Sequence, residues 1–280
     1  MMAAILLVGC TAKKEASLPE EPLNYIDYSE SQELPLDLHS DAYLLIRLND
    51  MKVLYSKNSS QKFFPASLAK IVTMGTALNL IGDREMTSSV SYDQLYDLIA
   101  KNASIAYLDP LHKYSVIDLL NGLILPSGAD AAQALINMLD ENDFIYEMNQ
   151  YADSLELTNS NFTNATGLHS DELYTTLDDY LKIVVDTLRY QDAREVLHNL
   201  SFTLSDGKTV KSTLAPIKTD KVEIVGGKTG YTGEAGQNLA VFYEVNGRSY
   251  LLITAGADGD PGRGQSFHFD DAKAIFNYLY

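Results

Sequence analysis

The chain is poor in the features that mark several protein classes. Its 280 residues include a single cysteine, Cys10, which excludes an intramolecular disulfide framework and a cysteine-built zinc site. Basic residues are scarce: 21 Lys and Arg stand against 38 Asp and Glu, for a net charge of -17. A phosphate backbone calls for a basic face, so nucleic acid is excluded as a partner. The apolar run at the N-terminus, MMAAILLVG, falls well short of the roughly 20 residues that span a bilayer. His39, His112, His169, His198 and His268 are scattered without metal-ligand spacing, and neither metal nor cofactor is expected. No G-x-S-x-G elbow occurs, which argues against a Ser-His-Asp hydrolase.

What remains is a globular composition, 46% hydrophobic and 21% charged, long enough to bury a sizeable core. The N-terminal run stops at Leu7-Val8-Gly9-Cys10, a pattern that resembles the end of a bacterial lipoprotein signal with Cys10 as the lipidated residue. The competing reading is a frayed apolar terminus. Residues 11–40 are rich in Glu, Ser and Pro without a sustained period, the signature of an extended acidic tether. The expected organisation is therefore a signal remnant over 1–10, a disordered tether over 11–40, and one domain over 41–280.

Within that domain, short strand-like runs at 42–48 and 52–57 flank Asn49-Asp50, a hairpin signal. A helix is expected over 67–80, with apolar residues at Leu68, Ile71, Val72, Met74 and Leu78. From about 86 to 190 the pattern is helical, with 3.6-type spacing over 92–100, 116–125, 131–139, 143–155 and 176–189. Pro126-Ser127-Gly128 interrupts this series and sets one serine in a tight loop between helices. Strand patterns return at 223–226, 238–245 and 249–254, the last two joined by Asn246-Gly247, the strongest short hairpin signal. An amphipathic helix closes the chain over 269–280. Strands at both ends with helices between imply an α+β fold: an antiparallel sheet packed by helices, with an all-helical insertion.

Three short motifs follow in order: Ser67-Leu68-Ala69-Lys70, Ser127-Gly128-Ala129 and Lys228-Thr229-Gly230. A Ser-x-x-Lys match arises about once by chance in a chain this long, whereas Lys-Thr-Gly arises roughly once in a dozen or more such chains. Singly, each motif has a bland reading: a solvated helix edge, a helix stop, a strand exit. Their order and placement give them weight: a helix start, an interhelical loop and a strand end. Ser67 and Lys70 fall on one face of a helix, so the hydroxyl and the amine are neighbours.

The stretches PASLAKIVT, PSGADAAQAL and GGKTGYTGEAGQNLAV resemble the three motifs of the penicillin-binding serine D-alanyl-D-alanine carboxypeptidases, the low-molecular-weight penicillin-binding proteins. MNQYADSLELTNSNFTNATGLHSDELYTTLDDY is similar to the region between the second and third motifs, so the likeness runs from about 40 to 280. It implies a β-lactamase/transpeptidase-like fold and an acyl-enzyme on Ser67. The implied substrate is a peptidoglycan stem peptide ending in D-Ala-D-Ala, with β-lactams as inhibitors. An extracytoplasmic site is also implied, attached to the outer face of the cytoplasmic membrane through Cys10.

The residues suit these roles. A serine hydroxyl needs a base to become a nucleophile, and a lysine serves only if its pKa falls toward neutrality. Burial of Lys70 and a nearby Lys228 both push that way. By resemblance, Ser127 relays a proton to the leaving amine, and Lys228 with Thr229 holds the terminal carboxylate. Gly230 permits close approach. The resemblance also implies an oxyanion hole made by the backbone N–H groups of Ser67 and Tyr231. One position departs from the pattern: where the family has asparagine the chain has Ala129, followed by Asp130. Alanine offers no amide, so Asp130 or a water substitutes, Asp130 caps the following helix, or the acyl amide is held less firmly. Two further readings stand beside the carboxypeptidase: a non-catalytic sensor or scaffold that binds β-lactams or muropeptides, and, more weakly, a β-lactamase.

Overall fold

A computed structural model describes residues 25–139, 141–214 and 217–280; Cys10 and residues 11–24 lie outside them. In chain order the elements are β1 (Ala42–Arg47), β2 (Lys52–Lys57), α1 (Ala69–Leu80), β3 (Thr87–Ser88), α2 (Tyr92–Ala100), β4 (Tyr114–Ser115), α3 (Val116–Ile124), α4 (Ala129–Ile136), α5 (Glu141–Ser154), α6 (Leu177–Thr187), α7 (Gln191–His198), β5 (Ser201–Thr203), β6 (Thr209–Lys211), β7 (Glu223–Thr232), β8 (Gly236–Val245), β9 (Arg248–Ala257) and α8 (Phe267–Leu279).

The main sheet has five antiparallel strands in the order β2-β1-β9-β8-β7. Its strands are hydrophobic on both faces because both are covered. Along β1, Ala42, Leu44 and Ile46 enter the core shared with the helices, while Tyr43 and Leu45 enter a second core under α8. That is the period of two expected of a strand. The second core is completed by Phe269, Ala272, Ile275 and Phe276 of α8. The result is three layers: α8, the sheet, and the helices α1 to α7. α1 lies in the middle and is buried on every side from Ala69 to Leu78, as an all-round apolar helix must be. The β8–β9 hairpin turns at Asn246 (φ 52°) and Gly247 (φ 71°), both positive as a type I′ turn requires.

The fold is the expected α+β arrangement, with four differences in detail. The first-motif helix begins later: Ala66–Leu68 is a 3₁₀ turn and α1 starts at Ala69. β7 runs on through Lys228-Thr229-Gly230 to Thr232, so the third motif lies inside a strand and not at its end. A bulge at Val225, between Ile224 and Gly226, followed by Gly226 and Gly227 at positive φ, breaks the alternation that would have shown the strand's full length. α7, the β5–β6 hairpin and the β3–β4 pair have no counterpart in the sequence-based expectation, and the last makes the insertion over 86–190 mainly and not wholly helical. Finally, residues 25–40, expected within the tether, lie against the domain. Asp27 and Gln32 bridge to β2 through main-chain bonds such as Val53 N–H to the Asp27 carbonyl, 2.9 Å, and Ser56 N–H to that of Gln32, 3.1 Å. Leu34 is buried in the second core. Main-chain N–H groups of His39 and Ser40 donate to the Asp271 carboxylate. β2 is a sheet edge, and an edge recruits whatever backbone can pair with it.

Candidate active site

Ser67 is held at the junction of the helical and sheet layers. Ala66, just before it, has φ 47°, a left-handed conformation that costs a residue with a Cβ on the order of 1 kcal/mol or more. The turn is clamped from three sides. Asn238 on β8 donates its amide to the carbonyls of Phe64, 2.9 Å, and Pro65, 3.2 Å. Tyr180 of α6 donates its hydroxyl to the Leu68 carbonyl at 3.1 Å. Gly230 lies so close that a Cβ there would be 2.9 Å from the Pro65 carbonyl oxygen and 3.2 Å from the Ser67 nitrogen.

Lys70, one turn on, places its Nζ 3.0 Å from Ser67 Oγ and donates to the Thr166 carbonyl. That carbonyl is aimed by Asn164, whose Oδ1 accepts the N–H groups of Thr166 and Gly167 and the Thr166 hydroxyl. Lys70 is buried and has only neutral oxygens as hydrogen-bond partners. Burial lowers its pKa to about 7, against a smaller opposing pull from Asp130. An amine stripped of solvent and denied an adjacent counter-ion is more stable neutral. A neutral lysine can spend one N–H on Thr166 and turn its lone pair to the serine hydroxyl.

Across the crevice, Lys228 of β7 donates to Ser127 Oγ at 2.9 Å and to the Thr229 carbonyl at 2.6 Å. It too is wholly buried, and its pKa falls well below the usual lysine range through burial first and repulsion from Lys70 second. Ser127 sits at φ 65° in the loop before α4, a second strained residue at the same crevice. Thr229 shares a hydroxyl contact of 2.7 Å with Thr213, while Tyr231 is exposed. The structure thus brings together Ser67 with Lys70, Ser127 with Lys228, and Gly230 with the Ser67 main chain.

Asp130 does not stand in for the missing amide. Its Oδ1 accepts from Ala106 N–H, 2.7 Å, and Ala131 N–H, 3.0 Å, and its Oδ2 from Leu108 N–H, 3.0 Å. It fastens the 106–108 loop to the start of α4, and Ala129 N–H is bonded to the Ser104 carbonyl at 2.8 Å.

A family model described as D-alanyl-D-alanine carboxypeptidase matches residues 28–259. The chain belongs to the D-alanyl-D-alanine carboxypeptidase family. It is 28% identical over 221 residues to DacF of Bacillus subtilis, covering 76% of this chain and 56% of that one. To DacA of Haemophilus influenzae it is 30% identical over 226 residues, covering 78% and 57%. The chain therefore spans little more than half the length of these relatives. A solved point variant of the Streptomyces K15 DD-transpeptidase superposes with a TM-score of 0.76 at 25% identity, covering 87% of this chain and 98% of that one.

Three residues that hold this carboxypeptidase-family site together escaped the sequence reading. Thr166, Asn238 and Thr213 contribute a carbonyl, an amide and a hydroxyl whose value depends on where the fold aims them. The first two lie inside the quoted stretches resembling the family, NATGLH and GQNLAV; Thr213 carries no local signal.

Proposed function

We propose that the protein is a serine D-alanyl-D-alanine carboxypeptidase. The observation that carries this reading is the Ser67–Lys70 pair, 3.0 Å apart, with the amine's pKa lowered to about 7 by burial. Neutral Lys70 takes the Ser67 proton as Oγ attacks the carbonyl between the two terminal D-alanines. The new Oγ–C bond gives a tetrahedral oxyanion, held by the N–H groups of Ser67 and Tyr231. The C–N bond breaks, the leaving amine takes the proton held by Lys70 by way of Ser127, and D-Ala departs, leaving Lys70 neutral again. Water then attacks the ester carbonyl, its proton passing to Lys70 and from there to Ser67 Oγ as the Oγ–C bond breaks, which frees the shortened peptide and restores Ser67. Lys228 and Thr229 receive the terminal carboxylate. An anion bound beside Lys228 favours its charged form, so substrate would reverse the effect of burial. β-lactams acylate the same serine.

The test is D-Ala release from a synthetic pentapeptide together with labelling by a fluorescent penicillin. Release and labelling that both vanish in Ser67→Ala support the reading; undiminished labelling of that variant refutes it. Ala129 favours one alternative, a β-lactam or muropeptide sensor, which would trap penicillin without releasing D-Ala.

Two further proposals concern placement. The first is a catalytic domain that begins near residue 25 instead of 41. The second is an extracytoplasmic position on the outer face of the membrane through lipidated Cys10, supported by the apolar run ending at Gly9-Cys10. Among the described residues no helix is long and apolar enough to cross a membrane. Mass spectrometry of the membrane fraction should find an acylated N-terminal Cys10; an unmodified Cys10 in that fraction would exclude the anchor.

A further inference from the structure

Ser67 and Lys70 are neighbours in sequence, but the group that holds the amine comes from far along the chain. The Thr166 carbonyl that accepts from Lys70 Nζ belongs to a turn over residues 164–168, and three consecutive residues of that turn grip the nucleophile's segment. Ala165 offers its carbonyl to the Thr73 hydroxyl at 2.7 Å. Thr166 offers its own to Lys70. Gly167, at φ 76°, lies so close that a Cβ would be 2.1 Å from the Ala66 carbonyl oxygen and 2.9 Å from the Ser67 nitrogen. Lys70 and Thr73 are buried one helical turn apart on α1, so the first two contacts fall on one face of that helix.

One side chain shapes the turn. Asn164 Oδ1 accepts from the Thr166 N–H at 3.1 Å, the Thr166 hydroxyl at 2.9 Å and the Gly167 N–H at 2.8 Å. Its Nδ2 donates to the Leu168 carbonyl at 3.0 Å. A side-chain oxygen that takes N–H groups two and three residues on replaces a main-chain turn. The entry to the turn is fixed as well, because Asn149 of α5 accepts the Phe162 N–H at 3.0 Å and donates to the Phe162 carbonyl at 2.8 Å.

Peptide planarity carries this local arrangement to the site. In a trans peptide the C=O of one residue and the N–H of the next point in opposite directions. With the Gly167 N–H drawn to Asn164 Oδ1, the Thr166 carbonyl must face the other way, toward Lys70. With the Thr166 N–H drawn to the same oxygen, the Ala165 carbonyl faces Thr73 for the same reason. Asn164 touches neither Ser67 nor Lys70, yet its oxygen sets the direction of both carbonyls that α1 receives.

The residue type matters beyond its oxygen. The charged groups that act on or respond to Lys70 are Asp130 at the start of α4 and Lys228 on β7. An amide adds no charge to them. Aspartate could accept the same three donors, but it would bring a carboxylate within about one peptide unit of the group that holds the amine.

We propose that Asn164 is a positioning residue for acylation: its oxygen aims the Thr166 carbonyl at Lys70 and so keeps the amine in reach of Ser67, and its neutrality is part of that role. The role rests on the carboxypeptidase reading, in which Lys70 is the base, and adds to it the residue that holds the base in place.

The experiment follows acylation of the full-length protein by a fluorescent penicillin between pH 5 and 9, by stopped flow, in the wild type, Asn164→Ala and Asn164→Asp. End-point labelling normalises each rate to the folded sites in the sample. Asn164→Ala frees the 166–167 peptide to rotate, and misplacement of reacting groups is costly, so its high-pH plateau should fall at least about tenfold. Asn164→Asp returns the acceptor oxygen and should recover most of that plateau. Its carboxylate favours the charged lysine, so the midpoint of its profile should rise by about one pH unit or more. At pH 7 it should then acylate roughly fivefold more slowly than the wild type, a deficit that closes as pH rises. A merely structural role would lower the melting temperature of both variants and move neither plateau nor midpoint. A wild-type plateau in Asn164→Ala, or an unmoved midpoint in Asn164→Asp, would overturn the positioning role and leave the carboxypeptidase reading intact. If Asn164→Ala yields too little folded protein to label, the midpoint of Asn164→Asp decides alone. Absence of both D-Ala release and penicillin labelling in the wild type would overturn the carboxypeptidase reading and the role with it.

Discussion

Lys70 and Lys228 are cations placed where a cation is hardest to keep. Each is buried, and each is bonded to hydroxyls and carbonyls, never to a carboxylate. Withholding the counter-ion is what gives Lys70 a lone pair near neutral pH. The sign of the pH dependence follows: protonated Lys70 cannot accept the Ser67 proton, so acylation is lost as pH falls and recovered as it rises. The rate of penicillin acylation should therefore climb with a midpoint near pH 7. A profile flat from pH 5 to 9 would remove Lys70 from the role of base. Replacing Lys70 by Ala should lower acylation by about 10²–10⁴-fold, the range of a positioned general base, measured by stopped-flow labelling. Asp130 serves another purpose at this scale. It satisfies three buried N–H groups, and Asp130→Ala leaves them unpaired at about 1–3 kcal/mol each when water cannot reach them. Denaturant unfolding should show a clear loss of stability, and a midpoint equal to wild type would contradict this assignment.

At the scale of elements, the candidate crevice depends on how closely β7 approaches the turn before α1. Gly230 touches the main chain of Pro65 and Ser67, and Asn238 on the neighbouring strand ties down the carbonyls of the same turn. Gly230→Ala should push the strand and the turn apart by a few tenths of an ångström. Because misplacement of reacting groups is costly, acylation should slow by at least about tenfold while the far-UV circular dichroism stays native. Acylation at the wild-type rate would mean that the crevice tolerates a Cβ there. Strain belongs to this scale too: Ala66 and Ser127, at φ 47° and 65°, flank or carry the two serines. Neither conformation survives without the packing that surrounds it.

For the molecule as a whole, three layers gather what the chain disperses. The helical layer supplies Ser67, Lys70 and Ser127, the sheet supplies Lys228 and Gly230, and the crevice between them is the candidate site. Residues 25–40 belong to this body, lying along β2 and burying Leu34 under Tyr43, whose hydroxyl accepts the Leu34 N–H at 2.7 Å. A chain starting at 41 should melt lower than one starting at 25. Leu34 alone is worth about 1.5–3 kcal/mol of burial, and roughly 2–4 °C accompanies each kcal/mol in a domain of this size. Identical melting temperatures would return the segment to the status of a tether.

The sequence by itself marked the candidate participants: Ser67, Lys70, Ser127 and Lys228 stand in short motifs whose turn, cap and helix signals are local. It also determined the α+β order, since periods of two and 3.6 are written in neighbouring residues, and the β8–β9 hairpin, since Asn246-Gly247 needs no distant partner. Tertiary structure decided the rest. The Lys70 amine is held near neutrality by burial and by the Thr166 carbonyl, and neither exists until α1 is enclosed. Whether Asp130 faces the crevice or the 106–108 loop depends on N–H groups more than 20 residues earlier. The extent of β7 was hidden by glycines that carry no alternation, and the fate of 25–40 by an edge strand that composition cannot reveal. Covalent neighbours fix local geometry; burial, electrostatics and edge pairing are set by residues that meet only when the chain is folded.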